Sequence, residues 1–255
     1  MLVNADVKGL EVVVAAQLSG DSILRQEIID GVDFHEANRS RFGLGGADAY
    51  DGETDDEKLA RKAGRLVAKI LKFRTIYGGG AYSFAHDPSM NHVSTSEKVW
   101  QGILDQYFEK YRGLKKWHDS LILTAQTTGR LEIPSGRHYP ITPDYSKSQP
   151  WPLTIIKNYP VQGFGADLVM LARLEARKRL RESAIEALLI STIHDSIVAD
   201  TPAKNVEAVG RILNDSIEAV PDLCRQIFGY DFTLPLSSEV QVGMNKREMR
   251  DLTFS

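Results

Sequence analysis

The sequence predicts an α+β fold, in which helices accompany a small number of strands. Helical patterns cover much of the chain, whereas short apolar runs typical of strands occur near both ends and around residue 194. These helices and strands do not alternate regularly, which favours α+β over a parallel α/β sheet. Since 42% of the 255 residues are apolar, the chain can bury the core of one large domain or two smaller ones.

The N-terminal elements follow from local signals. Residues 2–7 predict a short strand that ends in a carboxylate, and residues 9–18 predict a helix or a continuation of that strand. The Gly- and Asp-rich residues 40–56 predict a loop. Thr54 and the acids after it can cap a helix that runs from about 56 to 76 and ends at a run of glycines.

The C-terminal half contains further helical and strand patterns. Apolar and aromatic residues spaced by three and four predict helices, and two apolar runs joined by His194, Asp195 and Ser196 predict a β-hairpin with an acid at its turn. In chain order, the predicted elements are a helical region at 96–127, a hairpin at 129–141, a loop at 142–152, a long helix at 163–187, the hairpin at 188–200, a helix at 203–220 and a strand within 234–245.

The composition and the N-terminal sequence predict the cellular compartment of the protein. Cys224 is the only cysteine, which excludes an intrachain disulfide and a cysteine-based zinc site. The net charge of −3 argues mildly against nucleic-acid binding when taken alone. The N-terminus lacks a signal-peptide pattern, and the apolar run at 10–18 is too short to span a bilayer. We therefore expect a soluble, intracellular protein of the cytoplasm with no membrane partner.

The predicted helix at 56–76 lies in a region of concentrated positive charge. Residues 58–82 include seven basic side chains and no acidic one, and apolar residues of the same helix should leave the cations on one side. Arg65, Lys69, Phe73 and Tyr77 share one helical face, since each step of four residues drifts by about 40°. Cations followed by aromatic rings suit a nucleoside triphosphate, with charge for the phosphates and a flat surface for the base.

Two aspartates are candidate ligands for divalent metal ions. Asp6 ends the first strand, and Asp195 lies in the hairpin turn far along the chain. If the fold brings them together, two carboxylates can hold two divalent ions about 3.5–4 Å apart. Taken one at a time, each aspartate is a common turn or cap residue, the aromatic residues fit an ordinary core, and a lone histidine is usually buried and satisfied.

Six segments in order along the chain give these residues a common interpretation. They are Asp6–Glu11, Asp33–His35, Arg65 with Lys69, Phe73 and Tyr77-Gly78, the hairpin TTGRLEIPSGRHYPI, Asn158–Gly163 with Ala166–Leu168, and Ile193–Asp195. In this order they resemble motif A, the D-x-H element, motif B, the hairpin, the NxPxQGxxAD segment and motif C of the DNA polymerase I (A) family.

The resemblance implies the architecture of a polymerase right hand. It implies a palm, built as an antiparallel sheet with helices, and helical fingers, with the thumb absent. The corresponding domains are residues 1–32 as palm with motif A, residues 33–140 as fingers with the motif B helix at about 56–76, and residues 141–255 as palm with the motif C hairpin.

The same resemblance implies a role for each site residue. Asp6 and Asp195, with the carbonyl of Val7, would ligate two Mg²⁺ ions, for which Mn²⁺ could substitute, and Lys69 would join the two aspartates in catalysis. The residues implied to bind the nucleotide are Arg65, Lys69, Phe73, Tyr77, Glu11 and His35, with Glu11 as the gate against a ribose 2′-hydroxyl. The residues implied to contact DNA are Arg137, Asn158, Gln162 and His194.

The pattern departs from the family at several positions. Ser196 follows the motif C aspartate where most members have a second acid, and Arg74 occupies a position usually held by Gly. Single-subunit phage-type RNA polymerases also have His-Asp-Ser and the same Lys-to-Tyr-Gly spacing. Glu11 and the PVQG segment favour the DNA enzyme over that relative.

The resemblance therefore implies a template-directed DNA polymerase, either a catalytic subunit or a fragment of one. Its partners would be primer–template DNA, dNTPs and a second polypeptide that supplies the thumb, the exonuclease or both. A non-catalytic replisome subunit that binds primer–template is one alternative, although binding alone does not require paired metal ligands. A single-subunit RNA polymerase-like enzyme is the other.

Overall fold

The computed structural model describes residues 1–254. Their strands are β1 (Leu2–Val7), β2 (Arg130–Glu132), β3 (His138–Pro140), β4 (Leu188–Ile193), β5 (Ser196–Asp200), β6 (Ser238–Gly243) and β7 (Arg250–Asp251). Their helices are α1 (Leu10–Ser19), α2 (Ser22–Ile29), α3 (Phe34–Arg41), α4 (Asp55–Ile76), α5 (Ala81–Ala85), α6 (Glu97–Lys110), α7 (Arg112–Thr128), α8 (Leu153–Ser183), α9 (Val206–Glu218) and α10 (Val220–Phe228).

A five-stranded antiparallel sheet has the order β4-β5-β1-β6-β7. β1 is the central strand, and it pairs with β5 on one side and with β6 on the other. β2 and β3 form a separate two-stranded hairpin. An antiparallel sheet combined with many helices confirms the predicted α+β class.

The chain divides into two compact units. The first unit contains residues 1–14, 132–138 and 160–255, and the second contains residues 15–131 and 139–159. The five-stranded sheet lies in the first unit, and α4 lies in the second. The assignment of residues 1–32, 33–140 and 141–255 to palm and fingers stays a prediction.

The core of the first unit fixes the central strand. α9 packs on β1 and β6 and buries Val209, Leu213 and Ile217, which recur every four residues along one helical face. Phe164 of α8 adds an aromatic cluster, because its ring lies 5.6 Å from that of Tyr230 and 6.1 Å from that of Phe232. Bonded on both edges and packed by a helix, β1 holds its register firmly.

The core of the second unit is aromatic and depends on one buried carboxylate. Trp100 stacks on Phe84 at 4.9 Å between ring centroids. One oxygen of Asp21 accepts a hydrogen bond of 2.9 Å from the Leu24 amide and so caps α2. Its other oxygen accepts bonds from the amides of Gly113 and Leu114, at 2.7 and 3.1 Å, which satisfies donors in the first turn of α7.

Several predicted elements are confirmed at or near their expected bounds. These are the strand at 2–7, the helix at 56–76, the hairpin that turns at His194 and Asp195, and a strand within 234–245. The open alternative at 9–18 is decided in favour of a helix, α1, which follows Gly9 at φ 56°. A positive φ suits glycine because it has no Cβ, so the chain leaves β1 there and turns into the helix.

Other elements differ from the prediction in detail. The helical region at 96–127 is confirmed but consists of two helices, because Tyr111 leaves the helical conformation at φ −105° and ψ 65° and α7 restarts against Asp21. α8 begins ten residues earlier than predicted and passes through Pro160; buried Ile156 packs its first turns into the core. It ends four residues early, where Ala184 takes φ 52°. The short or separate elements that were not predicted are α2, α3, α5, α10 and β7.

Candidate active site

The two predicted metal-binding aspartates lie at one end of the central strand. Asp6 is in register with Ser196 of β5 on one side and with Glu239 of β6 on the other. The amide of Val7 donates a hydrogen bond of 3.1 Å to the carbonyl of Asp195. The hairpin turn that carries Asp195 therefore lies directly beside the end of β1.

The electrostatics of Asp6 show how strongly these carboxylates interact. Burial raises the pKa of Asp6, and the charges of Asp195, Glu239 and Glu11 raise it further, to about 6. Lys246 offsets part of this increase. A half-buried carboxyl among three other acids gains stability when a cation binds, which is the property that a divalent-ion site requires.

A cavity of about 460 Å³ opens beside two of these acids, Glu11 and Asp195. Its lining includes four of the predicted site residues, namely Glu11, Gln162, His194 and Asp195. Gly165 allows the close approach of two helices at its wall, because a Cβ there would lie 3.3 Å from Leu10 Cδ2. Motif A, motif C and the NxPxQG segment thus line one cavity within the first unit.

The site has fewer acids beside Asp195 than the family pattern. The hydroxyl of Ser196 donates a 3.0 Å hydrogen bond to the carbonyl of Ile193, which lies in the same hairpin turn. Within residues 1–254, no group of three or more His, Cys, Asp or Glu side chains is arranged to hold a metal ion. The assignment of Asp6, Asp195 and the Val7 carbonyl as metal ligands stays a prediction.

Arg137, predicted to contact DNA, is held by an acid of the same unit. Its guanidinium forms an ion pair with Asp167 of α8, and the Ser135 hydroxyl donates to the same carboxylate at 2.6 Å. Asp167 belongs to the Ala166–Leu168 match of the sequence motif. The ion pair joins the tip of the β2–β3 hairpin to α8 and so positions Arg137.

The four residues of the basic helical face occur on α4 and its C-cap, as predicted. Arg65 and Lys69 are exposed, Phe73 and the C-cap residue Tyr77 are partly buried, and the glycines end the helix. Among the described residues, none forms a hydrogen bond or an ion pair with the Lys69 ammonium. Its charge is available for a ligand.

A second group of titratable residues lies beside this face. Arg65 forms an ion pair of 2.5 Å with Asp33, which also caps α3 by accepting from the amide of His35 at 3.0 Å. Burial lowers the pKa of His35 to about 4, aided by the charges of Lys72 and Arg65. Its Nδ1 is buried without a hydrogen-bond partner. His35 is thus a neutral imidazole with an unused ring nitrogen among cations.

Two basic residues of α4 differ from the expectation of one exposed cationic side. Lys72 is buried, and its ammonium lies over the rings of Phe34 and Phe73, at 5.0 and 5.2 Å from their centroids. Arg74, at a position where the family usually has Gly, donates to the Ser83 carbonyl at 2.7 Å and pairs with Asp87 at 2.5 Å. Arg74 therefore anchors the segment that follows the helix.

The predicted site residues fall into two groups, one in each compact unit. The first unit contains Asp6, Val7, Glu11, Arg137, Gln162, His194 and Asp195. The second contains His35, Arg65, Lys69, Phe73, Tyr77 and Asn158. Asn158 is partly buried on α8, and its side-chain oxygen has no hydrogen-bond partner in the described residues.

Sequence reasoning missed three acids that act on these residues. Glu239 of β6 lies opposite Asp6 of β1, Asp33 pairs with Arg65, and Asp167 pairs with Arg137. Asp33 and Asp167 lie within the recognised motifs, but their ionic partners were not foreseen. The only sequence signal for Glu239 is the alternation of the predicted strand. It indicates the sheet face on which the side chain lies but not the residue opposite it on the adjacent strand.

None of the helices in residues 1–254 combines the length and apolar character needed to cross a membrane.

Comparison with known proteins gives consistent matches over almost the entire chain. A family model described as DNA polymerase family A matches residues 1–248. The DNA polymerase I of Chloroflexus aurantiacus is 28% identical over 256 residues, which covers 99% of this chain and 24% of the relative. The thermostable DNA polymerase I of Thermus aquaticus is 29% identical over 248 residues, which covers 95% of this chain and 26% of the relative.

A solved structure shares the fold. The POL domain of Pol1 from M. smegmatis, in complex with DNA primer-template and dNTP, is similar with a TM-score of 0.74 at 19% identity. The match covers 95% of this chain and 39% of that chain. Against the two polymerases named above, the chain spans about a quarter of the relative's length.

Proposed function

This chain belongs to DNA polymerase family A, and we propose that it is the part of a template-directed DNA polymerase that adds nucleotides from dNTPs to a primer 3′ end. The observation that carries this proposal is the placement of Asp6 beside the hairpin turn of Asp195, with a pKa raised by burial and by neighbouring acids. Two close carboxylates at the end of a packed central strand have a clear use in metal-assisted nucleotidyl transfer.

Asp6 and Asp195, with the backbone carbonyl of Val7, would hold two Mg²⁺ ions, and Mn²⁺ could replace them. When bound, the ions lower the pKa of the attacking hydroxyl and neutralise charge on the phosphates. In the reaction, the primer 3′-hydroxyl loses its proton to water, its oxygen forms a bond to the α-phosphorus of the dNTP, and the bond from that phosphorus to pyrophosphate breaks. The role of the protein is positioning and charge neutralisation.

The basic face of α4 supplies the nucleotide site in this proposal. Arg65 and Lys69 bind the triphosphate, and Lys69 donates a proton to the departing pyrophosphate. His35 is neutral at pH 7, because its pKa is about 4, so it can hydrogen-bond a phosphate without adding charge. Phe73 packs against the incoming sugar and base, and Tyr77 stacks at the template position.

Four residues contact the primer–template near the insertion site. Gln162 and His194 line the cavity beside Asp195, Asn158 lies on α8 with Gln162, and Arg137 is positioned by Asp167. Glu11, which lines the same cavity, crowds a ribose 2′-hydroxyl and so selects deoxynucleotides. In domain terms, residues 1–32 and 141–255 form the palm, and residues 33–140 form the fingers.

The proposed protein partner is a second polypeptide that supplies a thumb, an exonuclease or both. Duplex DNA is gripped mainly through phosphate contacts that require a large basic surface, and this chain has a net charge of −3.

Primer extension tests the proposed function. Wild-type chain, Asp195→Asn and a surface control, Asp222→Asn, would be supplied with a primer–template, dNTPs and Mg²⁺. We expect extension by the wild type and the control, and a loss of at least about 10³-fold in Asp195→Asn because a metal ligand is removed. Equal extension by Asp195→Asn would exclude the proposed metal site.

The choice of sugar distinguishes this proposal from an RNA polymerase-like enzyme. Wild-type chain should incorporate dNTPs in preference to rNTPs, and Glu11→Ala should reduce that preference by removing the side chain beside the 2′ position. Preferential use of rNTPs by the wild type would favour the RNA polymerase-like alternative.

A further inference from the structure

One edge of the five-stranded sheet, formed by β4, has no strand partner among residues 1–254. β4 is the end strand, and it pairs only with β5. Three of its apolar side chains are largely exposed: Leu188 at 70%, Ile190 at 52% and Ile193 at 43%. The unpaired amides and carbonyls of an apolar edge strand attract another strand, and apart from a β-bulge between Leu189 and Ser191 no feature of the described residues protects this edge.

The neighbouring helix continues this surface. Met170 and Leu174 of α8 are four residues apart on one helical face, and both are about half exposed. A cavity of about 580 Å³ lies between the C-terminal part of α8 and the start of β4, with Leu174, Ile185 and Leu188 in its lining. We call this cavity, together with the free edge of β4, the edge groove.

The edge groove is also positively charged. Arg173, Arg177 and Arg181 line it at intervals of four residues along α8, and Glu186 is the only acid in its lining. Neither Arg177 nor Arg181 forms a hydrogen bond or an ion pair with a described residue, and the buried Nε of Arg173 has no hydrogen-bond partner. These cations therefore lack the carboxylates that such arginines normally pair with.

We propose that the edge groove binds an acidic β-strand of a second polypeptide, which extends the sheet at β4 and directs carboxylates toward Arg177 and Arg181. A polypeptide strand satisfies all three properties of the groove. Its backbone pairs with the edge of β4, its apolar side chains cover Leu188 and its carboxylates pair with the arginines. This inference deepens the proposed function, on which it rests for the role of the second polypeptide.

Two other occupants fit less well. Duplex DNA would match the arginines, but its phosphates would leave Leu188 and Ile190 facing polar groups and the β4 backbone unpaired. A second copy of this chain could pair edge to edge at β4, but this would bring two sets of unpaired arginines close together, where like charges repel.

Short peptides provide the direct test. A fluorescein-labelled eight-residue peptide in which Val alternates with Glu would be titrated with the full chain, alongside a matched Val–Lys peptide. A third peptide would carry N-methyl groups on consecutive amides, which removes donors from both edges of the strand. By fluorescence anisotropy, we expect the Val–Glu peptide to bind at least tenfold more tightly than either control. Equal binding of all three, or no binding of the Val–Glu peptide, would overturn the proposal.

Charge reversal tests the arginines. Arg177→Glu/Arg181→Glu should weaken Val–Glu binding at least tenfold and improve binding of the Val–Lys peptide. A matched variant, Lys98→Glu/Lys204→Glu, changes two exposed cations outside the groove and should leave the peptide preference unchanged. If Arg177→Glu/Arg181→Glu weakens duplex DNA binding but not peptide binding, the groove belongs to nucleic acid; if it abolishes self-association, the occupant is a second copy.

Primer extension separates this inference from the proposed function. Arg177→Glu/Arg181→Glu should extend primers as the wild type does when no partner is present. Peptide binding without any extension would contradict the proposed polymerase and leave the docking surface in place. Extension without peptide binding would contradict the docking surface alone.

Discussion

Asp6 couples the stability of the protein to pH. Its pKa is about 6 in the folded chain against an ordinary value of 3.8, so the folded state binds this proton more tightly than the unfolded state. The stabilising contribution is therefore complete below about pH 4 and is lost as the pH rises through 6. At pH 8, Asp6 is ionised in the folded protein, where burial and the neighbouring acids disfavour its charge.

Replacing Asp6 should remove this penalty. We expect Asp6→Asn to have a higher Tm than the wild type at pH 8, and the difference should shrink toward pH 4.5. Thermal unfolding followed by circular dichroism would measure it, with Asp222→Asn as the control for loss of a surface carboxylate. A lower Tm for Asp6→Asn at pH 8 would contradict the repulsion among Asp6, Asp195, Glu239 and Glu11.

Magnesium should relieve the same repulsion. In the wild type, millimolar Mg²⁺ at pH 8 should raise the Tm, since a ligand that binds only the folded state stabilises it in proportion to RT ln(1 + [L]/Kd). Asp6→Asn and Asp195→Asn should lose this response, whereas Asp222→Asn should keep it. The readout does not depend on catalysis, so it tests the metal site separately from nucleotide addition.

His35 offers a titration at the nucleotide site. In ¹³C-histidine NMR, its signal, assigned by its loss in His35→Gln, should titrate near pH 4, because burial and the charges of Lys72 and Arg65 oppose protonation. Adding dNTP should raise this pKa, since the phosphates favour the imidazolium. A pKa near 6.5 without nucleotide would contradict the buried, cation-rich environment.

At the scale of elements, α4 combines a tight contact with a ligand-binding face. A Cβ on Gly64 would clash with the carbonyl oxygen of Gly45 and would lie 2.8 Å from that of Leu44, so only glycine allows this approach. Gly64→Ala should lower the free energy of unfolding by about 1–3 kcal/mol, as overpacking does. Urea denaturation would measure the change.

Gly102 in α6 is the matched control, because a Cβ there would meet nothing within 4 Å. Gly102→Ala should stabilise the protein by about 0.5–1 kcal/mol, as Ala does relative to Gly inside a helix. If both variants were stabilised, the close contact of α4 with the segment at 44–45 would not exist in solution.

The exposed face of α4 should distinguish two lysines that are otherwise alike. Lys69 lies between Arg65 and Phe73, whereas Lys62 is exposed about two turns nearer the N-terminus of the same helical face. Lys69→Ala should weaken dNTP binding by about tenfold through loss of a charge-assisted phosphate contact, and Lys62→Ala should leave it unchanged. Equal effects in an equilibrium binding assay would indicate a diffuse basic surface instead of a site.

At the scale of the whole molecule, the limiting property should be the grip on duplex DNA. Tested alone, the 255 residues should add only a few nucleotides per binding event, because their net charge of −3 gives little phosphate attraction. Extension in the presence of excess unlabelled duplex as a trap would measure this. Long products formed under the trap would remove the reason for proposing a second polypeptide.

Much of the fold was predictable, since many of its elements have local causes. The bounds of α4 follow from a capping box of Thr54 and Glu57 and from the glycines after Tyr77, all of which are adjacent in sequence. The break at Tyr111 was not predictable, because the donors of the next helix are satisfied by Asp21, about 90 residues away. α8 likewise passes through Pro160 where a local rule predicts an end.

The family, the α+β class and the common face of Arg65, Lys69 and Phe73 follow from the amino-acid order alone, because motif order and helical spacing are local properties of the chain. Tertiary packing sets which acids lie beside which site residues. Asp33 pairs with Arg65, Asp167 pairs with Arg137, and Glu239 faces Asp6, in each case across 30 residues or more. Such neighbours depend on strand register and on packing between distant segments, which a linear pattern does not encode.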